Sequence, residues 1–449
     1  MSYKAVFISL GCAKNQIDCE QMMFRFQEAG FEILEGVDGA DLVVINTCGF
    51  IDSAKSEAID HIIAMGELKA QGRIGKILVT GCLAQRYQEQ ILQELPEVDG
   101  VLGTGNYFDA PAAAMSLLQG EGVSRFDDPN NQGSEGGRIL TTPSHYAYLK
   151  IAEGCSNQCA YCVIPKLRGK YRSRRMEDIL TEAEGLARQG IRELIVVAQD
   201  TTLYGVDLPG HKKRLPELLQ KLCRIDGIHW VRVHYLYPEV MTDELIDVFA
   251  AEPKLVEYFD IPIQHINDEI LRKMNRRGSK EYIQALFRKI REKVPNAVIR
   301  TSLIVGLPGE GEAEFAELCD FLQEYRLERA GVFAYSPEEG TPAEKMPRPD
   351  EATARRRAEL VMEKQFAIMD EIARGQIGTR VEVLCEGYDT QQGLYYGRSR
   401  WDSPDIDNKV WFQSEKDIAP GSFGNITVRE VRDGELMGTW EGSSHDNRV

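Results

Sequence analysis

The chain has 449 residues, 43% hydrophobic and 27% charged, and no run approaches the ~20 uninterrupted apolar residues that a membrane span requires. Acidic residues outnumber basic ones 70 to 53, for a formal charge of -17. Nucleic acid gripped by its phosphates is therefore not expected as a direct substrate, and a basic protein surface matches the charge better.

At roughly 150 residues per domain, this length predicts about three domains. Residues 1–120 alternate strand and helix signals. AVFISL, DLVVINT and KILVTG are rich in Val and Ile and predict buried parallel strands. QIDCEQMMFRFQEAG and SAKSEAIDHIIAMGELKAQG predict the helices between them, each ending at glycine. The stretch GEGVSRFDDPNNQGSEGGR marks a linker over 121–140. Over 141–375 six strand candidates follow: YAYLKIAEG, ELIVVAQD, HWVRVHYLY, YFDIPIQ, AVIRTSLIVG and AGVFAYSP. Separated by helical patterns, they predict an open (βα)6 partial barrel, closed off by the amphipathic helix DEATARRRAELVMEKQFAIMDEIARGQ. From 378 to 444 short strands between Gly, Asp and Pro turns predict a small antiparallel barrel. The fold class is α/β: a doubly wound parallel sheet, a partial barrel and a small β-barrel.

The start, MSYKAVFISLGC, lacks the basic, apolar and cleavage regions of a secretory signal, which predicts a cytoplasmic location. In a reducing compartment the ten cysteines are expected to bind metal or do chemistry rather than form disulfides. AEGCSNQCAYCVIP places Cys155, Cys159 and Cys162 in a C-x3-C-x2-C run just after a predicted strand. Three thiolates on one cubane leave one iron open, whereas an electron-carrying cluster takes four. Structural zinc also wants four closed ligands, and the next cysteine, Cys223, lies far off in an apolar helix. Cys12, Cys48 and Cys82 each come at the carboxyl end of a predicted parallel strand, where open α/β sheets bind ligands. They either converge on one site or are three small core residues.

The C-x3-C-x2-C loop on a six-unit barrel resembles the radical S-adenosylmethionine superfamily. The resemblance implies a [4Fe-4S] cluster on Cys155, Cys159 and Cys162 that cleaves S-adenosylmethionine to a 5′-deoxyadenosyl radical. It places Tyr161 at the aromatic position before the last cysteine and Gln264, Arg300 and Gly306 around the adenosine and ribose. With SLGCAKNQID, NTCGFI, TGCLAQR, GCSNQCAYCVIPKLRG and the closing small barrel, the chain resembles the methylthiotransferase family along almost its whole length. That implies a second [4Fe-4S] cluster on Cys12, Cys48 and Cys82, a C-terminal TRAM barrel, and insertion of sulfur plus methyl at an unactivated C–H bond. Cys19 stands where the family commonly shows serine, and it is expected to be structural, as are Cys223, Cys319 and Cys385.

The family modifies either a transfer-RNA adenosine or an aspartate of ribosomal protein S12. From Gly378 onward the tail holds thirteen acidic residues against eight basic ones, a poor surface for phosphates. Trp401, Asp402, Asp405 and Asp407 in RSRWDSPDID are expected to dock the basic protein S12, free or in the small subunit. Otherwise the loop is simply a solvated acidic turn. KLRGKYRSRR, with Arg168, Lys170, Tyr171, Arg172, Arg174 and Arg175, contacts RNA, binds the cofactor carboxylate or solvates a helix entrance. His229 and His234 are expected in core or rim positions, while His265 is equally placed to face substrate. The expected reaction is aspartate methylthiolation, with flavodoxin or ferredoxin as electron donor. A transfer-RNA adenosine enzyme is the alternative, and a non-catalytic iron–sulfur carrier is the competing class.

Overall fold

The first sheet is built from β1 (Lys4–Ser9), β2 (Glu32–Ile33), β3 (Leu42–Thr47), β4 (Lys76–Gly81), β5 (Gly100–Leu102) and β6 (Val123–Arg125), in the order β2-β1-β3-β4-β5-β6. All its pairings are parallel. The computed structural model describes residues 2–131 and 136–443. Alternating side chains split this sheet into two cores. Ala5, Leu42, Val44 and Leu78 meet Met22 and Phe26 of the Ala13–Glu28 helix and Ala113 and Leu117 of the Ala110–Leu118 helix. Val6, Val43, Ile45, Ile77 and Val79 meet Ala58 and Ile62 of the Asp52–Ala70 helix on the other face. The domain is thus doubly wound.

The expected linker is partly structure. Val123–Arg125 completes the sheet as β6, and Arg138 pairs with Glu20 at 3.1 Å while donating to the Tyr148 carbonyl at 2.6 Å. Residues 132–135 of that linker lie outside the described residues.

The second sheet takes β7 (Tyr146–Lys150), β10 (Glu193–Val197), β11 (Trp230–Val233), β12 (Leu255–Asp260), β13 (Val298–Val305) and β14 (Arg329–Ala334) in the parallel order β14-β13-β12-β11-β10-β7. Six strands leave the barrel open between β14 and β7. A short antiparallel ribbon, β8 (Ala152–Glu153) with β9 (Arg172–Ser173), brackets the C-x3-C-x2-C loop. Residues such as Leu149, Val196, Val233, Phe259 and Leu303 face the surrounding helices. Their neighbours Tyr148, Val197, Arg232, Tyr258, Arg300 and Ser302 therefore face the barrel interior.

The third sheet is a closed five-strand barrel, β15 (Arg380–Asp389), β16 (Leu394–Ser399), β17 (Val410–Gln413), β18 (Phe423–Arg432) and β19 (Glu435–Ser443), ordered β15-β16-β17-β19-β18. It is antiparallel except for the parallel pair β17–β19. The helix Glu351–Arg374 runs along β14 before the chain enters this barrel. Among the described residues, no helix is long and apolar enough to cross a membrane.

Candidate active site

Strand register brings the N-terminal cysteines together. Ser9 is level with Asn46, and Thr47 with Gly81, across the neighbouring strands β1, β3 and β4. Cys48 and Cys82 leave the sheet at the same height, and Leu10–Gly11 carry the chain over to Cys12. Two glycines allow the loops to touch. A Cβ on Gly11, at φ +92°, would lie 2.6 Å from the Cys48 Cβ, and one on Gly49 would lie 2.7 Å from the Leu83 nitrogen. Cys12 caps the Ala13–Glu28 helix and Cys82 opens the Cys82–Tyr87 helix, so both thiols stand at positive helix ends.

Cys12 reaches solvent although it lies deep between domains. Depth opposes its thiolate, but the Lys14 and Arg168 cations and the backbone N–H groups of Asn15 and Lys14 hold its pKa below the ordinary thiol value. Burial pushes Cys48 up, and pushes Cys82 up to about 12 against the pull of Arg168. The Arg168 Nε donates to the Cys82 Sγ at 3.3 Å.

The second triad lies in the loop after β8. The Cys155 nitrogen donates to the Gly169 carbonyl at 3.1 Å, and the Cys162 nitrogen to the Cys159 carbonyl at 3.1 Å. The Cys159 Sγ and Tyr237 Oη share a hydrogen bond of 3.2 Å, and Asn157 donates to Asp200 at 2.9 Å. Cys159 and Tyr161 pack with Ile270, Met274, Leu307 and Tyr335. Burial pushes Cys155 up to about 11 and Cys162 higher still. One short helix, Ile164–Arg168, links the two triads: Cys82 packs on Val163 and Leu167, immediately after Cys162.

All ten cysteines are free. Among the described residues no three His, Cys, Asp or Glu side chains close on a single metal ion. A four-iron cubane takes one thiolate per iron and so accepts a wider ring than one ion does. Two sets of three unbridged thiols, each set crowded enough for its members to perturb one another's ionisation, suit that donor set. Cys19, Cys223, Cys319 and Cys385 lie in the hydrophobic cores away from both.

The remaining expected residues are spread. Gln264 has φ +69° and bridges to β13, its nitrogen donating to the Ser302 carbonyl at 2.9 Å. Arg300 points into the barrel and pairs with Asp260 at 2.7 Å. Gly306 is explained by packing, since a Cβ there would lie 2.4 Å from the Ala354 Cβ of the long helix. His265 is buried beside Glu310, its Nδ1 accepting from the Asn267 nitrogen at 3.0 Å, so it does not face substrate. Within the basic run, Arg168, Tyr171 and Arg174 are buried while Lys170 and Arg175 are exposed, so the run is not one RNA-facing patch.

The expected docking loop is corrected by the structure. Asp402 is 3% exposed and pairs with Arg329 at 2.7 Å. Asp407 accepts from the Tyr258 hydroxyl at 2.5 Å, and Ser403 shares a 2.9 Å hydrogen bond with His234. Trp401 packs on Trp230, Val256 and Tyr258. Asp405 stays exposed at the tip, where Tyr146 donates to it at 3.3 Å. The loop plugs the lower barrel because its carboxylates find arginine and tyrosine partners there. Asp402 and Asp407 are therefore not free to meet a partner protein, and the exposed part of the loop is its tip, Asp405 with Ile406.

Sequence reasoning missed the polar layer joining the domains. Lys150 reaches Asp18 at 2.5 Å and Glu153 at 2.9 Å, and Arg168 joins Asp18 and donates to Asn15 at 2.9 Å. Lys14 crosses the same interface to stand over the Tyr235 ring. The only local signal was polar residues on the buried side of the first helix, KNQID.

Three family models match in series: an uncharacterized protein family, UPF0004, over residues 4–103, the radical SAM superfamily over 149–322 and a TRAM domain over 377–440. The ribosomal protein uS12 methylthiotransferase RimO of Thermoanaerobacter sp. (strain X514) is 46% identical, covering 96% of this chain and 99% of its own. The proteins of the same name from Lachnoclostridium phytofermentans and Clostridioides difficile are 46% and 45% identical, over 98% and 97% of this chain and 100% and 98% of theirs. Among solved structures, the radical S-adenosylmethionine methyltransferase TsrM from Kitasatospora setae superposes with a TM-score of 0.58 at 16% identity, covering 77% of each chain. At that identity it shows the fold alone.

Proposed function

Because this chain belongs to the uS12 methylthiotransferase family of radical S-adenosylmethionine proteins, we propose that it adds a methylthio group to the β-carbon of an aspartate in ribosomal protein uS12. The single observation carrying this reading is that Cys82 packs on Val163 and Leu167, directly after Cys162, with each cysteine set following the carboxyl end of a parallel sheet. When bound, two [4Fe-4S] clusters and S-adenosylmethionine supply the chemistry: a 5′-deoxyadenosyl radical that takes hydrogen from the β-carbon, and the methylthio group that replaces it.

The chain's own residues hold and orient. Cys155, Cys159 and Cys162 are the ligands we assign to the barrel cluster, and Cys12, Cys48 and Cys82 those of the N-terminal one. Tyr161 and Tyr237 wall the barrel triad with apolar surface that excludes water. Arg168 donates to Cys82 from a position fixed by Asp18 and Asn15, so a thiolate there keeps a charge-assisted donor. Gln264 and Arg300, at the interior edge of β13, are the positions proposed to receive S-adenosylmethionine. The electron comes from a low-potential one-electron donor of the flavodoxin or ferredoxin class.

The test is anaerobic turnover of the reconstituted protein with S-adenosylmethionine, reductant and sulfide, with uS12 and transfer RNA in parallel. Mass spectrometry should find a methylthio adduct on an aspartate of uS12. An adduct on RNA adenosine alone would overturn the substrate.

A further inference from the structure

Lys14 is a buried cation whose partners are the Tyr235 side chain and the neighbouring Cys12 rather than a carboxylate. It follows Cys12 by two residues, is 7% exposed, and its Nζ stands 3.5 Å from the centroid of the Tyr235 ring. The other buried cations around the triads each have a carboxylate: Lys150 and Arg168 share Asp18, Arg276 meets Glu239 at 3.4 Å and Arg300 meets Asp260. Among the described residues, no carboxylate pairs with Lys14. The groups facing it are Tyr235 and His234 from the barrel, Cys12 from its own loop and Arg168 from the short helix. A ring face returns about 0.5–2 kcal/mol to a cation, less than the several kcal/mol that removing an ammonium from water costs. Such a site is completed by an anion.

The placement says which anion. Lys14 belongs to the N-terminal domain and Tyr235 to the barrel, and they meet between the triads. Tyr235 holds φ +60° just past β11, its nitrogen donating to Asp260 at 3.0 Å. Non-glycine residues kept in that region cluster at functional sites. Tyr235 is half-buried, as are Ser302 and Arg300 on the interior of β13, so the Lys14 side of the interface borders the barrel mouth rather than a sealed core.

We propose that Lys14 binds the side-chain carboxylate of the aspartate to be modified and selects it over a neutral side chain. This inference rests on the uS12 aspartate reading above. The β-carbon is bonded directly to the carboxyl carbon, so one clamp on the carboxylate fixes the reacting atom at the interface. A compact ammonium on a flexible stem suits a substrate that must enter and leave.

The experiment compares binding of uS12 and of uS12 with its target Asp replaced by Asn, using the cluster-reconstituted full-length protein. The unsubstituted protein should bind the Asp form about tenfold tighter, equivalent to about 1.4 kcal/mol. Lys14→Met should bind both forms equally, and Lys14→Arg should restore the preference. Retained preference in Lys14→Met overturns the clamp. So does equal weakening of both forms, or loss of iron from Lys14→Met, since either assigns the lysine to scaffold or cluster. If the unsubstituted protein binds neither form, the uS12 reading itself falls, and the clamp with it.

Discussion

The barrel meets a neighbouring domain at each end, and the two interfaces are built oppositely. At the lower end the TRAM domain inserts charge into the barrel and every inserted group finds its complement. Glu193 accepts from Arg232 at 2.8 Å and from Arg398 at 2.6 Å; burial opposes its ionisation, but the two arginines hold it down to about 2. Asp402 has Arg329, Asp407 has Tyr258, and His229 and Trp230 share Glu382. At the upper end, the layer of Asp18, Lys150, Glu153 and Arg168 is similarly paired, yet beside it stand six unbridged thiols and, among the described residues, one ammonium with no carboxylate. Saturated charge is scaffold. Unsaturated charge and free thiols mark where something else binds, and here that distinction locates function better than exposure or net charge does.

The largest effect expected from breaking this contrast is at the upper end. Cys159→Ala should abolish 5′-deoxyadenosine release while leaving the unfolding midpoint close to that of the parent, checked by chromatography and thermal denaturation; undiminished release would remove the radical assignment. Next, Arg398→Met removes the guanidinium that Glu193 shares with Arg232 and Glu386 shares with His145 at the lower interface. It should cost about 3–5 kcal/mol in urea unfolding while leaving the electron paramagnetic resonance signals of both clusters unchanged.

A smaller effect comes from pH. Burial depresses His234 from 6.5 to about 3, so it stays neutral in the native interface. Below pH 6.5 the unfolded chain takes a proton that the folded chain refuses, and stability falls with decreasing pH by about 1.4 kcal/mol per unit from this group alone. The stability advantage of the parent over His234→Gln should therefore shrink between about pH 7 and 5, and a constant advantage would show that His234 is charged in place. Smallest of all, Asp405→Asn, at the exposed loop tip, should change stability by less than about 0.5 kcal/mol and leave uS12 affinity unaltered. A marked loss of affinity would restore the acidic loop as a docking surface.

The reach of the sequence differs along the same lines. Strand runs such as LVVINT are local patterns, so the sheets, the partial barrel and the C-x3-C-x2-C run were legible from spacing, whereas a shared role for Cys12, Cys48 and Cys82 was implied only by the family resemblance. Arg168 was visible only as one charge in a basic run, because its partners Asp18, Asn15 and Cys82 come from a domain some 90 to 150 residues earlier. WDSPDID was misread for the same reason. Three aspartates in six residues have the local signature of a solvated turn, and only the arginine and tyrosine of a different domain turn Asp402 and Asp407 inward. Lys14 left no signature at all, since a cation without a carboxylate is defined by what is missing around it in space.

The most direct test of the account is isotopic. With uS12 carrying deuterium at the β-carbon of its aspartates, anaerobic turnover should yield methylthiolated uS12 together with 5′-deoxyadenosine that has gained deuterium. Methylthiolated product accompanied by unlabelled 5′-deoxyadenosine would contradict hydrogen abstraction at the aspartate β-carbon, and with it the role assigned to the interface between the two triads.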